Sequence, residues 1–243
     1  MHPWRKRKAQ NIKHLTSNFK YLTSIRHLGN KYKPQTYNHL RKYKHMNIYA
    51  AVLLAAGDSQ RMGTPKAMLE FRKGINFLEA CLQAFRDFGC AEVVVVVNAQ
   101  LYERLQSNEV SQPENAHFIL NDHPERGRFF SLQCGLKALS AETNTFFHNV
   151  DNPFITPEVL KALISIEKTA DVICPVYQGK RGHPVLITGK VVSDIISERN
   201  YDWNLRDYLD RYHNESVQVT YPNILVNINT PEDYARLLGR STG

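Results

Sequence analysis

From Leu54 to Lys66 the chain reads Leu-Ala-Ala-Gly-Asp-Ser-Gln-Arg-Met-Gly-Thr-Pro-Lys, an apolar run ending in a loop with two glycines, one arginine and one lysine. Gly57 and Gly63 allow positive φ and a close backbone approach, while Arg61 and Lys66 supply charge-assisted bonds to phosphate oxygens. Amides and two cations converging where a strand ends suit a nucleoside triphosphate. The loop is not a Walker A motif, because Ala67 follows Lys66 and Pro65 removes an amide donor. Nor is it the dinucleotide fingerprint, since no glycine stands two places after Gly57.

Further residues carry chemistry of the same kind. Asp151 follows the strand-like segment Phe146-Phe147-His148-Asn149-Val150, where a carboxylate can hold Mg²⁺ against a triphosphate. A turn-forming Asp before Asn152-Pro153 accounts for the same residues. Asn227 and Asn229 flank Ile228, and a period of two puts both amides on one side, able to face a metal or phosphates. Thr230 and Asp233 read as helix capping. Gly127, Ser131 and Gly135 fall at the start of a helical pattern; Gly135 inside it costs about 1 kcal/mol against Ala, which a close approach to ligand or strand, or helix packing, would explain. In Lys180-Arg181-Gly182-His183 the two cations suit an anionic acceptor, and His183 suits a positioning role.

These residues must be carried by elements, and the chain supplies them in alternation. Continuous apolar runs over 48–56 and 93–97 fit strands buried on both faces of a parallel sheet. Between them Phe77, Leu78, Cys81, Leu82, Phe85 and Phe88 repeat at helical spacing and stop at Gly89. Further strands are expected over 116–120, 145–150, 171–176, 184–187 and 224–228, with helices near 129–139, 157–167, 190–198 and 204–212. Thr156-Pro157-Glu158 and Thr230-Pro231-Glu232 mark two helix starts. The alternation predicts one three-layer α/β domain over 46–243 with a mostly parallel central sheet.

Composition sets outer limits. No apolar run approaches the ~18 residues of a membrane span, so a soluble chain is expected. The formal charge is +8, but residues 1–45 hold 12 Lys or Arg and no acid, whereas 46–243 hold 19 basic against 23 acidic residues. Nucleic-acid affinity is therefore expected only non-specifically, through a basic, disordered extension over 1–45 in which tyrosines interleave with lysines. Met46 stands directly before the first strand and reads as a natural start. Cys81, Cys90, Cys134 and Cys174 form no metal-binding or disulfide pattern and read as small hydrophobes in a reducing, cytoplasmic compartment.

The run from Leu54 to Leu69 resembles the signature of the MobA-like nucleotidyltransferases, in particular the branch of molybdenum cofactor cytidylyltransferases. The resemblance spans 46–243 and implies a Rossmann-like nucleotidyltransferase fold. It places Leu54, Ala55, Ala56, Gly57, Ser59 and Gly63 around the nucleotide and Arg61 and Lys66 on its phosphates. It implies Gly127, Ser131 and Gly135 at a helix N-terminus facing the nucleotide. Asp151 becomes a Mg²⁺ ligand with Asn227 or Asn229, and Lys180, Arg181, Gly182 and His183 the acceptor side. Ala56 and Pro65 match the cytidylyl branch, whereas Asn227-x-Asn229 resembles the guanylyl branch.

The expected reaction moves CMP from CTP onto a phosphorylated acceptor, molybdopterin, releasing pyrophosphate, with a molybdoenzyme receiving the product. A sugar phosphate or another phosphometabolite as acceptor, guanylyl transfer, and a nucleotide-binding module without turnover stay open. Retention of Arg61, Lys66 and Asp151 together speaks against the last.

Overall fold

The computed structural model describes residues 49–57, 62–106 and 115–240. The extension over 1–45, Met46, Ser59 and Arg61 lie outside the described residues.

Strand β1 (Ala50–Ala55) is an interior strand of the sheet, buried on both faces, which is why it is apolar throughout. Ala51, Leu53 and Ala55 enter one core with Phe77, Phe85 and Leu160; Val52 and Leu54 enter a second core with Leu132, Leu136 and Val192. Two helical layers thus cover both faces of one sheet. A short hairpin follows, β2 (Glu70–Arg72) and β3 (Ile75–Asn76), leading into helix α1 (Phe77–Phe88). Asn76 and Glu79 form a reciprocal capping box, and Gly89 ends the helix at φ 97°, as its position in the pattern predicts. Then come β4 (Glu92–Val97), helix α2 (Ala99–Gln106), β5 (Ala116–Leu120), helix α3 (Gly127–Ala138) and β6 (Thr145–Asn149). Helix α4 (Pro157–Ser165), β7 (Val172–Tyr177), β8 (Lys180–Arg181), β9 (Val185–Ile187), α5 (Gly189–Ser197), α6 (Leu205–Leu209), β10 (Asn214–Gln218) and α7 (Pro231–Arg240) complete it.

The sheet order is β10-β7-β9-β6-β1-β4-β5, with β8 attached to β7. Pairings of β1 with β4 and β6, β4 with β5 and β7 with β10 are parallel; β9 is antiparallel to both neighbours. The chain leaves β1 toward β4 and β5, then returns to place β6 on the other side. A crevice opens beyond the carboxyl ends where strand order reverses, here between β1 and β6.

Besides the short strands β2, β3 and β8, three segments depart from the sequence expectation. The expected strand over 224–228 is instead a 3₁₀ turn, Pro222–Leu225, followed by irregular backbone. Pro222 favours that turn, and the segment is held by bonds from Ile228 N–H to Asp151 O (2.9 Å) and from the Asn152 amide to Asn223 O (3.0 Å). Strand β10 reads as polar loop because it is an edge strand paired only with β7. Helix α2 buries only Leu101 and Leu105 and shows too little periodicity.

Gly135 settles its own ambiguity by geometry. A Cβ there would run into Val52 and come within 2.9 Å of Val96 Cγ2, so α3 approaches the sheet where only glycine fits. Gly135→Ala should destabilise the fold by about 1–3 kcal/mol by overpacking. The check is the urea midpoint together with the nucleotide KM. A stability loss without a comparable KM change is expected, and the reverse pattern would return Gly135 to the nucleotide site.

Candidate active site

At the β1/β6 reversal lies a cleft of about 460 Å³. Its floor is the end of β1 (Leu54, Ala55, Ala56, Gly57) and the end of β6 (Asn149, Val150, Asp151). Pro65, Lys66 and Ala67 form one wall, the start of α3 another, and His183, Asn227 and Asn229 close the remainder.

Lys66 opens the 3₁₀ turn Lys66–Met68, with Pro65 fixing the approach and accepting a bond from Met68 N–H (2.9 Å). Its side chain is only 16 % exposed, so it is a wall residue and not a free loop cation. Nζ donates to Asn229 Oδ1 at 2.6 Å and stands 3.7 Å from Asp151 Oδ2. Burial pushes the Asp151 carboxyl above its usual range even though Lys66 opposes the shift. Asp151 Oδ1 is buried without a hydrogen-bond partner. A half-buried carboxylate with one unpartnered oxygen fits a divalent cation. The donor set suits Mg²⁺, which takes one or two carboxylates and completes its shell with phosphate and water. No group of three or more His, Cys, Asp or Glu occurs among the described residues, so the protein alone offers no full cage.

The Asn152 side chain, fully buried, accepts from Phe154 N–H (3.0 Å) and donates to Asn223 O, tying the end of β6 to the segment carrying Asn227 and Asn229. Asp233 Oδ2 accepts from the N–H groups of Asn229 and Thr230, both at 3.0 Å, so the capping expected of Thr230 and Asp233 also positions Asn229. The side with α3 is fixed by Asn121. This buried side chain donates to Ser131 Oγ (3.0 Å) and accepts from His123 N–H (2.9 Å), while Ser131 Oγ donates to Gly127 O (3.0 Å). Gly127 has φ 81°, and the first turn of α3 thereby faces the cleft with the positive end of its dipole.

His183 is kept neutral. Burial, then the charge of Arg128, lowers its pKa to about 4. Its Nδ1 is buried without a partner, and Nε2 faces the Asn149 amide at 3.5 Å. Beneath it His148 is fully buried, with its pKa lowered to about 3, first by burial and then by His183; the two ring centroids are 6.0 Å apart. Both folded pKa values lie below the ordinary 6.5, so the unfolded chain binds protons that the native state refuses. Stability should therefore fall as pH drops from about 6.5 toward 4. Thermal midpoints taken between pH 7.5 and 5 test this, and a flat profile would contradict it.

The cleft brings together Leu54, Ala55, Ala56, Gly57, Lys66, Gly127, Ser131, Asp151, His183, Asn227 and Asn229. It does not include the other described candidates. Gly63 has φ 64° in the loop, and Gly135 packs on the sheet. Lys180 and Arg181 form the exposed strand β8, with Arg181 3.5 Å from Asp210. A Cβ on Gly182 would sit 2.5 Å from Ile224 O, so this glycine serves packing. Residues not singled out from sequence are Arg128, Asn149 and Pro124, which line the cleft, and Asn121 and Asn152, which brace it. Arg128 lies between Gly127 and Ser131, and its charge at a helix start was the available signal.

The fold and cleft define an α/β protein with an open cleft at the carboxyl ends of its parallel strands, lined by Lys66 and Asp151. Residues 51–217 match the MobA-like NTP transferase domain, and the chain belongs to that family of nucleotidyltransferases. The Escherichia coli molybdenum cofactor cytidylyltransferase is 26 % identical over 200 residues, covering 81 % of this chain and 99 % of that protein. The probable molybdenum cofactor guanylyltransferase of Natranaerobius thermophilus is 29 % identical over 198 residues, 76 % of this chain and 92 % of the relative. Among solved structures, a homologue of Rv0371c from Mycobacterium sp. strain JC1 superposes with a TM-score of 0.67 at 25 % identity, covering 80 % of this chain and 96 % of the other.

Proposed function

We propose that the protein transfers CMP from CTP to the terminal phosphate of molybdopterin. An oxygen of the acceptor phosphate attacks the α-phosphorus in line, the bond from that phosphorus to the bridging oxygen breaks, and pyrophosphate leaves. With the acceptor phosphate as its dianion no proton moves, so no general base is needed. Catalysis then rests on alignment and charge stabilisation. Lys66, together with Arg61 and the loop amides, would hold the triphosphate; Asp151, with Asn227 or Asn229, would hold Mg²⁺. When bound, Mg²⁺ supplies Lewis-acid neutralisation of phosphate charge.

The observation that carries this reading is the half-buried Asp151 carboxylate at the sheet's reversal point, one oxygen facing Lys66 and the other buried without a partner. Ala56 and Pro65 both line the cleft and support CTP. Asn227 and Asn229 also line it and favour guanylyl transfer as the second reading, as do the relatives named guanylyltransferases. A cytoplasmic enzyme handing its product to a molybdoenzyme is consistent with this chemistry. Among the described residues no helix is long and apolar enough to cross a membrane. Incubating the protein with molybdopterin, Mg²⁺ and an equimolar CTP/GTP mixture tests nucleotide choice: the cytidine dinucleotide should form in excess, and a guanosine product would select the second reading.

A further inference from the structure

Two anionic reactants must share one cleft, and the cations expected to receive the acceptor lie outside it. Lys180 and Arg181 are exposed on β8, and Arg181 is engaged by Asp210. The cleft instead holds a different cation, Arg128 in the first turn of α3, which lines it together with Lys66. Among the described residues Arg128 has no recorded hydrogen bond or ion pair, whereas Lys66 is already committed to Asn229 and Asp151. The Arg128 charge opposes protonation of the buried His183, which lines the same cleft. His183 adds a buried, partnerless Nδ1 there.

We infer that Arg128, backed by the neutral His183 and the amides opening α3, is the acceptor-specificity residue, binding the phosphate of the incoming acceptor and aiming its oxygen at the α-phosphorus. This rests on the nucleotidyl-transfer reading above. A guanidinium is suited to the task because it grips two phosphate oxygens and leaves the third free to attack. An imidazole kept uncharged can donate or accept a hydrogen bond there without adding a second positive charge beside Arg128. Lys66 and the loop then serve the triphosphate alone, and the two phosphate groups share a cleft lined by both cations.

The test uses the full chain and the Arg128→Gln and Arg128→Lys variants. Arg128 is exposed, so both should fold as the parent does. Molybdopterin binding is titrated by fluorescence in the presence of a non-hydrolysable CTP analogue, and dephosphorylated molybdopterin serves as control. The parent should prefer the phosphorylated pterin. Arg128→Gln should weaken that binding by about tenfold or more, as expected for loss of a charge-assisted pair, with Arg128→Lys intermediate and affinity for the CTP analogue unchanged. Loss of analogue affinity with pterin binding intact would assign Arg128 to the triphosphate and overturn the inference. Equal binding of both pterins by the parent, or no effect of either variant, would overturn it too. Failure of the parent to release pyrophosphate while it still discriminates the two pterins through Arg128 would refute the transfer reading and leave the phosphate site standing.

Discussion

Lys66→Met should lower pyrophosphate release by at least about two orders of magnitude while the protein stays folded. The methionine keeps a side chain of similar length in a position only 16 % exposed and removes the ammonium. Preorganised cationic donors aimed at charge that develops in a transition state contribute on the order of 10²–10³ in rate each. Lys66 is such a donor, fixed by Pro65, by the 3₁₀ turn it begins and by its 2.6 Å bond to Asn229. Arg61→Ala is expected to act in the same sense. The loss should appear mainly in kcat, and near-normal pyrophosphate release in the Lys66 variant would remove the phosphate wall from the mechanism.

Asp151→Asn should be nearly inactive yet more stable than the parent without ligands. Its carboxyl is raised above the ordinary range because burial outweighs the nearby Lys66 ammonium. For an acid with a raised folded pKa the native state binds the proton more tightly than the unfolded chain, so ionisation at neutral pH subtracts from stability. An amide of the same shape relieves that cost and loses the metal. Thermal midpoints should therefore be higher for the variant at pH 7. The difference should shrink as pH falls through the raised pKa, where the parent's carboxyl is neutral as well. Activity should not recover with added Mg²⁺. A parent-like magnesium response, or a variant less stable at pH 7, would mean the carboxylate is structural.

The parts of this fold that could be read from sequence are those with strong local chemistry. The valine run of β4 and the apolar run of β1 are buried on both faces, and no other environment tolerates them. Gly89 and the Thr156 cap end and start helices by local backbone rules, and both behave so in the structure. What escaped was set by distant partners. Strand β10 is a polar edge that exists only because β7 offers it hydrogen bonds, and the 224–228 segment is shaped by the 3₁₀ turn at Pro222 and by bonds to Asp151 and Asn152 just past β6.

The same division holds for the candidate site. Lys66, Asp151, Asn227 and Asn229 could be placed together because each follows a strand-like run or a glycine-rich loop. The bracing by Asn121 and Asn152 could not, since a buried asparagine looks like any loop asparagine until its partners are known. Lys180 and Arg181 carry their charge on the exposed strand β8, outside the cleft. Arg128 lines the cleft from a segment whose glycine and serine stand out first in the sequence.

The most direct measurement is single-turnover transfer from α-³²P-labelled CTP by the full chain, with molybdopterin as acceptor and Mg²⁺ present. Label should move into a pyrophosphate-linked pterin dinucleotide with one equivalent of pyrophosphate released, and neither should occur with dephosphorylated molybdopterin or with Asp151→Asn. Pyrophosphate release that does not depend on the acceptor's phosphate, or undiminished transfer by Asp151→Asn, would contradict nucleotidyl transfer at the β1/β6 cleft.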